Sequence, residues 1–181
     1  MAPREDPISS FESFAASRWA GLVRTCRLLT GDVHEGEDLA QISLVKLYAV
    51  WHRVNRDTAD AYLRRIAVNT QLSRLRKRRL WIVPQAEPPE RAGPIEDDQL
   101  GERSALLAAL ADLPDRQRAT VVLRCWQDLP EEAVADRLGC SRGTVKSQLS
   151  KGLAKLRAHP ALAGLGPVRR PDGVEHVGGP R

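Results

Sequence analysis

Residues 131–157 read EEAVADRLGCSRGTVKSQLSKGLAKLR, and the fold follows from this stretch. Val134, Ala135 and Leu138 line one side of a two-turn helix from Glu131 to Leu138. Ala135 is small, as the close approach of a second helix requires. Gly139 supplies the positive φ of a tight turn, and Ser141 can cap the next helix through its hydroxyl. That helix turns Val145, Leu149, Leu153 and Leu156 inward, giving a helix-turn-helix. Its other face carries Arg142, Thr144, Lys146, Ser147, Gln148, Ser150, Lys151, Lys155 and Arg157, and no acid occurs from Arg137 through Pro171. Short polar side chains near the helix start can reach base edges in a major groove, while Arg and Lys engage phosphates. A basic helix face is often only solvated surface. Here the alanine, the glycine and the cap all fall at the offsets of a DNA reader.

Upstream of this motif the pattern stays helical. Ser104 to Leu113 is rich in Ala and Leu, Pro114 suits the first position of a following helix, and Val121, Val122, Leu123 and Trp126 continue it. Before that, Pro84 to Gly101 holds Pro84, Pro88, Pro89, Gly93 and Pro94, which break any helix. Residues 81–100 carry one basic residue against five acids. This is expected to be a flexible linker. At roughly 3.3 Å per residue it could reach about 65 Å, close to two duplex turns of about 34 Å.

The first 80 residues show three further helical stripes. Phe11, Phe14, Arg18 or Trp19, Leu22, Cys26 and Leu29 end at Gly31, a C′ glycine. Leu39, Ile42, Val45 or Lys46, Leu47 and Val50 follow, with Glu35, Glu37 and Asp38 expected in the first turn, where the helix dipole favours acids. After a break at Asn55–Thr58, with Asp57 or Thr58 as cap, Tyr62, Leu63, Ile66, Val68, Leu72 and Leu75 form the third. The expected fold is therefore all-α, two small helical domains on a flexible linker. The divisions are a disordered 1–10, a helical bundle over 11–80, the linker over 81–101, the helix-turn-helix domain over 102–159 and a disordered tail over 160–181.

Charge sharpens this partition. Residues 1–80 hold 14 Lys/Arg against 9 Asp/Glu, and residues 101–181 hold 13 against 9, so two basic blocks flank an acidic strip. That arrangement suits two modules facing one polyanion. Arg64 to Arg79, RRIAVNTQLSRLRKRR, has seven basic residues in sixteen and no acid. Arg65, Asn69 and Ser73 share a helix face at spacings of four. An amide at position 69 can pair with a base edge or serve only as a surface residue. Cys26, Cys125 and Cys140 are scattered without a CxxC pair, and the four histidines have no ligand spacing, so neither a disulfide framework nor a metal is expected. No phosphate loop or nucleophile motif appears, so neither catalysis nor a cofactor is expected. No apolar run approaches the roughly 20 residues of a membrane span, and residues 1–10 lack the apolar core of a signal peptide, so a cytoplasmic location is expected.

Four blocks in this order, GEDLAQISLVKLYAVW, AYLRRIAVNTQLSRLRKRR, LADLPDRQRATVVLR and GTVKSQLSKGLAKLR, resemble bacterial RNA polymerase sigma factors of the extracytoplasmic-function type over roughly residues 11–158. The resemblance implies a promoter-melting helical bundle and a −35-reading domain. It implies core RNA polymerase docking through Asp38, Leu39 and Gln41 with Glu37 beside them, Ile42 standing where the family has an acid. It implies a pocket for a flipped −10 base at Asn55 to Ala59 with Arg56, beside Asn69, and backbone contacts from Arg64, Arg65 and Arg76. The −35 contacts would be Arg142, Thr144, Lys146, Ser147, Ser150 and Lys151, and Gln148 replaces a frequent Arg. Promoter DNA, core polymerase and an anti-sigma factor are the implied partners. Two other readings stay open. A stand-alone regulator with a LuxR-like reader accounts for GTVK but not for the basic helix or the Asp38–Gln41 block. An interaction protein that binds polymerase without reading a promoter leaves the recognition helix idle.

Overall fold

The computed structural model describes residues 7–81 and 101–163. Among these residues there are seven α-helices and no strand: α1 Pro7–Thr30, α2 Val33–Tyr48, α3 Ala59–Trp81, α4 Gly101–Ala111, α5 Asp115–Val121, α6 Glu131–Leu138 and α7 Arg142–Arg157. The expected all-α class holds. Helix starts earlier than expected, at Pro7, where a proline costs no intrahelical bond. Trp81 still belongs to α3 and Gly101 already to α4, so each helix runs one residue into the expected linker; residues 82–100, 1–6 and 164–181 lie outside the described residues. Pro160–Leu162, assigned from sequence to the tail, instead form a 3-10 turn. His159 holds it: Nδ1 accepts from the Ala161 amide at 3.2 Å, and Nε2 meets Asp112 Oδ2 at 3.1 Å.

Helices α1, α2 and α3 form the first bundle, around Leu22, Cys26, Leu39, Leu47, Trp51 and Leu63. Gly31, at φ +76°, ends α1 as its spacing predicts. Asp32 then caps α2 by accepting from the Glu35 amide at 2.8 Å, so only Glu35 of the three expected acids lies in the first turn. The buried face of α2 is Gly36, Leu39, Ala40, Ser43 and Leu47, with Val45 left exposed. Ser43 enters the core because its hydroxyl donates to the Leu39 carbonyl at 2.6 Å. A polar residue that satisfies itself on its own helix can thus be buried, while both alternatives the spacing offers, Val45 and Lys46, stay exposed. Before α3, Asn55 caps a 3-10 turn over Arg56–Thr58, accepting from the Asp57 amide at 2.9 Å.

In the second module Pro114 is the N-cap of α5 and not its first residue, and the helix passes into a π turn over Val122–Trp126. The Gln127 amide reaches back five residues to the Val122 carbonyl at 3.0 Å. Gly139, at φ +60°, makes the turn between α6 and α7, and Ser141 caps α7 by accepting from the Thr144 amide at 3.1 Å, both as the sequence predicts. Gly152 is buried where α7 crosses α5, and a Cβ there would lie 2.8 Å from Val121 Cγ2. Only a glycine permits that approach.

The two modules also meet. Leu28 and Leu29 of α1 and Val68 and Leu72 of α3 belong to one continuous apolar core with Leu110, Leu113 and Leu123. Arg118 of α5 is buried and donates from Nε to the Leu29 carbonyl at 3.2 Å. Trp126 Nε1 donates to Thr25 Oγ1 at 3.2 Å. The π turn thus delivers an indole to α1.

Candidate nucleic-acid and polymerase interface

Three exposed surfaces carry the residues singled out in the sequence. On α7, Arg142, Lys146 and Ser150 form one row at spacings of four, and Gly143, Ser147 and Lys151 form the row beside it; all six are exposed. The buried positions Val145, Gly152 and Leu156 fix the opposite side. The helix therefore presents short polar groups and three cations outward from a capped N-terminus, the end whose dipole favours a phosphate. Thr144 departs from the expectation. It is half-buried, and its hydroxyl lies 3.0 Å from Ser141 Oγ, so it completes the cap instead of projecting. Lys146 Nζ lies 3.8 Å from Glu131 Oε2 of α6, a loose exposed pair that a phosphate can displace.

The second surface is the outer face of α3. Arg65, Asn69, Ser73 and Arg76 are all exposed on it. Ser73 Oγ donates to the Asn69 carbonyl at 2.8 Å, and Arg76 Nη2 donates to Ser73 Oγ at 3.3 Å. Arg65 packs over the Tyr62 ring, its Cζ 4.8 Å from the centroid. This gives an amide flanked by two cations, with an aromatic ring at one end. Arg64 stands apart: it is held by Asp60 at 2.8 Å, so part of its charge is answered inside the bundle. Arg56 and Asn55 are also engaged locally. Arg56 Nη1 donates to the Trp51 carbonyl at 3.0 Å while its Cζ lies 3.7 Å above the Trp51 ring. Asn55 uses its side chain as the turn cap. Both help build the turn, and both remain exposed.

The third surface is the outer side of α2, where Asp38, Gln41, Val45 and Tyr48 recur at spacings of three and four and are all exposed. Val45 is 69% and Tyr48 50% exposed, an apolar patch on an otherwise polar face, with one side of the Tyr48 ring packed on Phe11 at 4.9 Å between centroids. Among the described residues Asp38 pairs with Arg74 Nη2 alone, at 4.0 Å. Two expected members do not share this face. Leu39 is 0% exposed, in the core of the first bundle. Glu37 pairs with Arg27 of α1 and fastens the two helices. Sequence reasoning misses Val45 and Tyr48, because helical period alone does not say which flank of a stripe is covered.

Among the described residues no group of three or more His, Cys, Asp or Glu could hold a metal. Cys26 is buried at the centre of the first bundle, and that burial pushes its thiol up to about 12, keeping it neutral.

Comparison with known proteins gives the family. The family profile described as sigma-70 region 2 matches residues 6–80, and that described as sigma-70, region 4 matches residues 103–156. The chain is 39% identical over 153 residues to the RNA polymerase sigma-E factor of Streptomyces coelicolor, covering 83% of this chain and 85% of the relative. It is 28% identical over 156 residues to the ECF RNA polymerase sigma factor SigW of Bacillus subtilis, covering 75% and 81%. The fold is similar to that of the sigma factor RpoE of Bartonella quintana, solved in complex with the anti-sigma factor NepR, with a TM-score of 0.56, 22% identity, and coverage of 87% of this chain and 99% of that one.

Proposed function

Because this chain belongs to the sigma-70 family of RNA polymerase sigma factors, in its extracytoplasmic-function branch, we propose that its three exposed surfaces divide the work of initiation. A sigma factor directs polymerase to promoters and binds both enzyme and DNA. Here α7 reads the −35 element, with Arg142, Lys146 and Lys151 on phosphates and Ser147 and Ser150 at base edges. The outer face of α3 takes the −10 strand. Asn69 pairs with an exposed base edge, Arg65 and Arg76 hold the backbone, and the cost of unstacking a base is about a few kcal/mol, offset by stacking and hydrogen bonding. The outer side of α2 docks on core polymerase through Asp38 and Gln41, with Val45 and Tyr48 supplying apolar area.

The chain needs no chemistry of its own, since the polymerase makes the RNA, and it works in the cytoplasm where polymerase is. No helix among the described residues is long and apolar enough to cross a membrane. An anti-sigma factor is its regulatory partner under this reading, as it is for the solved Bartonella relative.

The observation that carries the proposal is the pairing of two exposed basic reading faces on separate modules with an exposed Asp38–Tyr48 docking face on a third helix side. Binding of wild type, Asp38→Ala and Gln41→Ala to core polymerase tests it. Tight binding by wild type that the variants lose is the expected result. Absence of polymerase binding with duplex DNA still bound would favour the stand-alone regulator instead.

A further inference from the structure

Lys46 belongs neither to the core nor to the row Asp38, Gln41, Val45 and Tyr48. It leaves α2 on the flank toward α3, exposed, and its Nζ donates to Thr70 Oγ1 at 2.9 Å. Thr70 is 8% exposed, so its hydroxyl is a fixed acceptor that sets where the ammonium sits. That bond orders the lysine without neutralising it. The neighbouring acids are engaged elsewhere: Glu37 with Arg27, Asp38 with Arg74, and Asp60 with Arg18 and Arg64. No acid occurs between Asp38 and Asp57, nor over 61–86. Among the described residues Lys46 therefore has no ion pair. Ordering its ammonium gives up side-chain freedom for one neutral hydrogen bond, an arrangement that serves positioning better than stability.

The helical period places this ammonium beside the face that carries Asn69. At about 100° per residue, Arg65 and Arg76 lie on one line of α3, within about 20° of each other, and Thr70 and Lys77 lie on a second line equally close together. Asn69 and Ser73 fall between the two lines, and Lys77 is exposed like the other cations. Seated on Thr70, Lys46 joins Lys77 on the second line. We propose that Lys46 is a further nucleic-acid contact of this face, holding a phosphate on the α2 side of Asn69, and that Thr70 is the residue that positions it. The proposal rests on the reading of α3 as the face that takes the −10 strand. A single strand laid over Asn69 and Ser73 then meets Arg65 and Arg76 on one side and Lys46 on the other. Grip from both sides limits lateral slip and keeps an unstacked base over the Asn69 amide. Because Lys46 is ordered before the strand arrives, binding does not have to immobilise it.

A phosphate contact carries no sequence information, so a mixed-sequence single-stranded oligonucleotide of about 12 nucleotides is a sufficient probe. Fluorescence anisotropy on the full chain over a salt series reads the contact. Lys46→Met keeps the alkyl stem and loses the charge. Its plot of log affinity against log salt should be flatter than wild type by about 0.7, so the wild-type advantage shrinks about 2.6-fold between 50 and 200 mM salt. Lys46→Arg should restore the slope. Thr70→Val leaves the charge of Lys46 in place and removes its seat, so the slope should stay while affinity falls about threefold. Thr70→Ser keeps the hydroxyl and should recover that affinity. Parallel slopes for wild type and Lys46→Met overturn the phosphate contact, and so does a wild-type chain that binds no single strand. Thr70→Val binding as tightly as wild type overturns the positioning role. Binding of wild type to core polymerase is measured separately. If it is absent, the sigma reading fails while the Lys46 slopes still decide the contact; if it is present and the slopes are parallel, the sigma reading stands and the contact falls.

Discussion

Lys146 offers the cleanest quantitative handle on DNA reading. It projects from the second turn of α7 with its side chain 67% exposed, and its ion pair with Glu131, at 3.8 Å, is loose. An exposed pair of this kind contributes at most about 1 kcal/mol, so Lys146→Ala should leave stability within about 0.5 kcal/mol of wild type. On DNA the effect is larger and has a signature. Removing one phosphate interaction flattens the plot of log affinity against log salt by about 0.9. Between 50 and 200 mM salt the ratio of wild-type to variant affinity should therefore shrink by about 3.5-fold. Glu131→Gln works in the opposite direction, removing the competitor for Lys146 and a negative charge beside the groove, so its affinity should rise. Fluorescence anisotropy with a −35 duplex at four salt concentrations measures all three proteins. Parallel salt slopes for wild type and Lys146→Ala would refute the phosphate assignment. Glu131→Gln binding more weakly would refute the placement of α6 beside the DNA.

Asn69→Ala should weaken binding to a single-stranded −10 element by about 1–3 kcal/mol without lowering the unfolding midpoint, because the residue is exposed; an equal loss of stability would make it a packing residue. Gly152→Ala should cost about 1 kcal/mol in a urea titration. The helix gains roughly 1 kcal/mol of propensity, but the new methyl meets Val121 at 2.8 Å, and overpacking costs about 1–3 kcal/mol; a stabilised variant would show that α5 and α7 part easily. At pH 8 an alkylating reagent should label exposed Cys125 and spare Cys26 until the chain unfolds. The Cys26 thiol is raised in the folded state, so its contribution to stability is fully present below the unfolded thiol range near pH 9 and is lost as pH rises toward about 12. Labelling of Cys26 in the native protein at neutral pH would contradict its burial.

Short-range signals are legible in the sequence and long-range ones are not. Gly31, Gly139 and Ser141 can be placed from sequence because a C′ glycine, a positive-φ turn and an N-cap depend on neighbours within four residues. The exposed rows of α7 follow from period and charge in the same way. Leu39 lies in the core and Glu37 pairs with Arg27, which the sequence does not show, because the choice between core, ion pair and solvent depends on how α1 lies against α2. The seat of Arg56 over Trp51 is hidden for a similar reason: the Trp51 ring beneath it is positioned by Phe11 and Phe14 of α1, about forty residues earlier.

The sequence by itself determined the helical class, the helix-turn-helix, the two basic modules and the family, since these reside in local periodicity, capping and charge order. Only the tertiary structure decided that the modules close on one another. The residues that join them are 89 apart between Leu29 and Arg118 and 101 apart between Thr25 and Trp126. Each is ordinary in its own helix: a threonine, a leucine carbonyl, an arginine near the middle of a short α5. Their meaning comes from a π turn that carries Trp126 to α1 and from Gly31, whose missing side chain admits the guanidinium. Such pairings carry no periodic trace along the chain, because they arise from two surfaces fitting together after each module has formed.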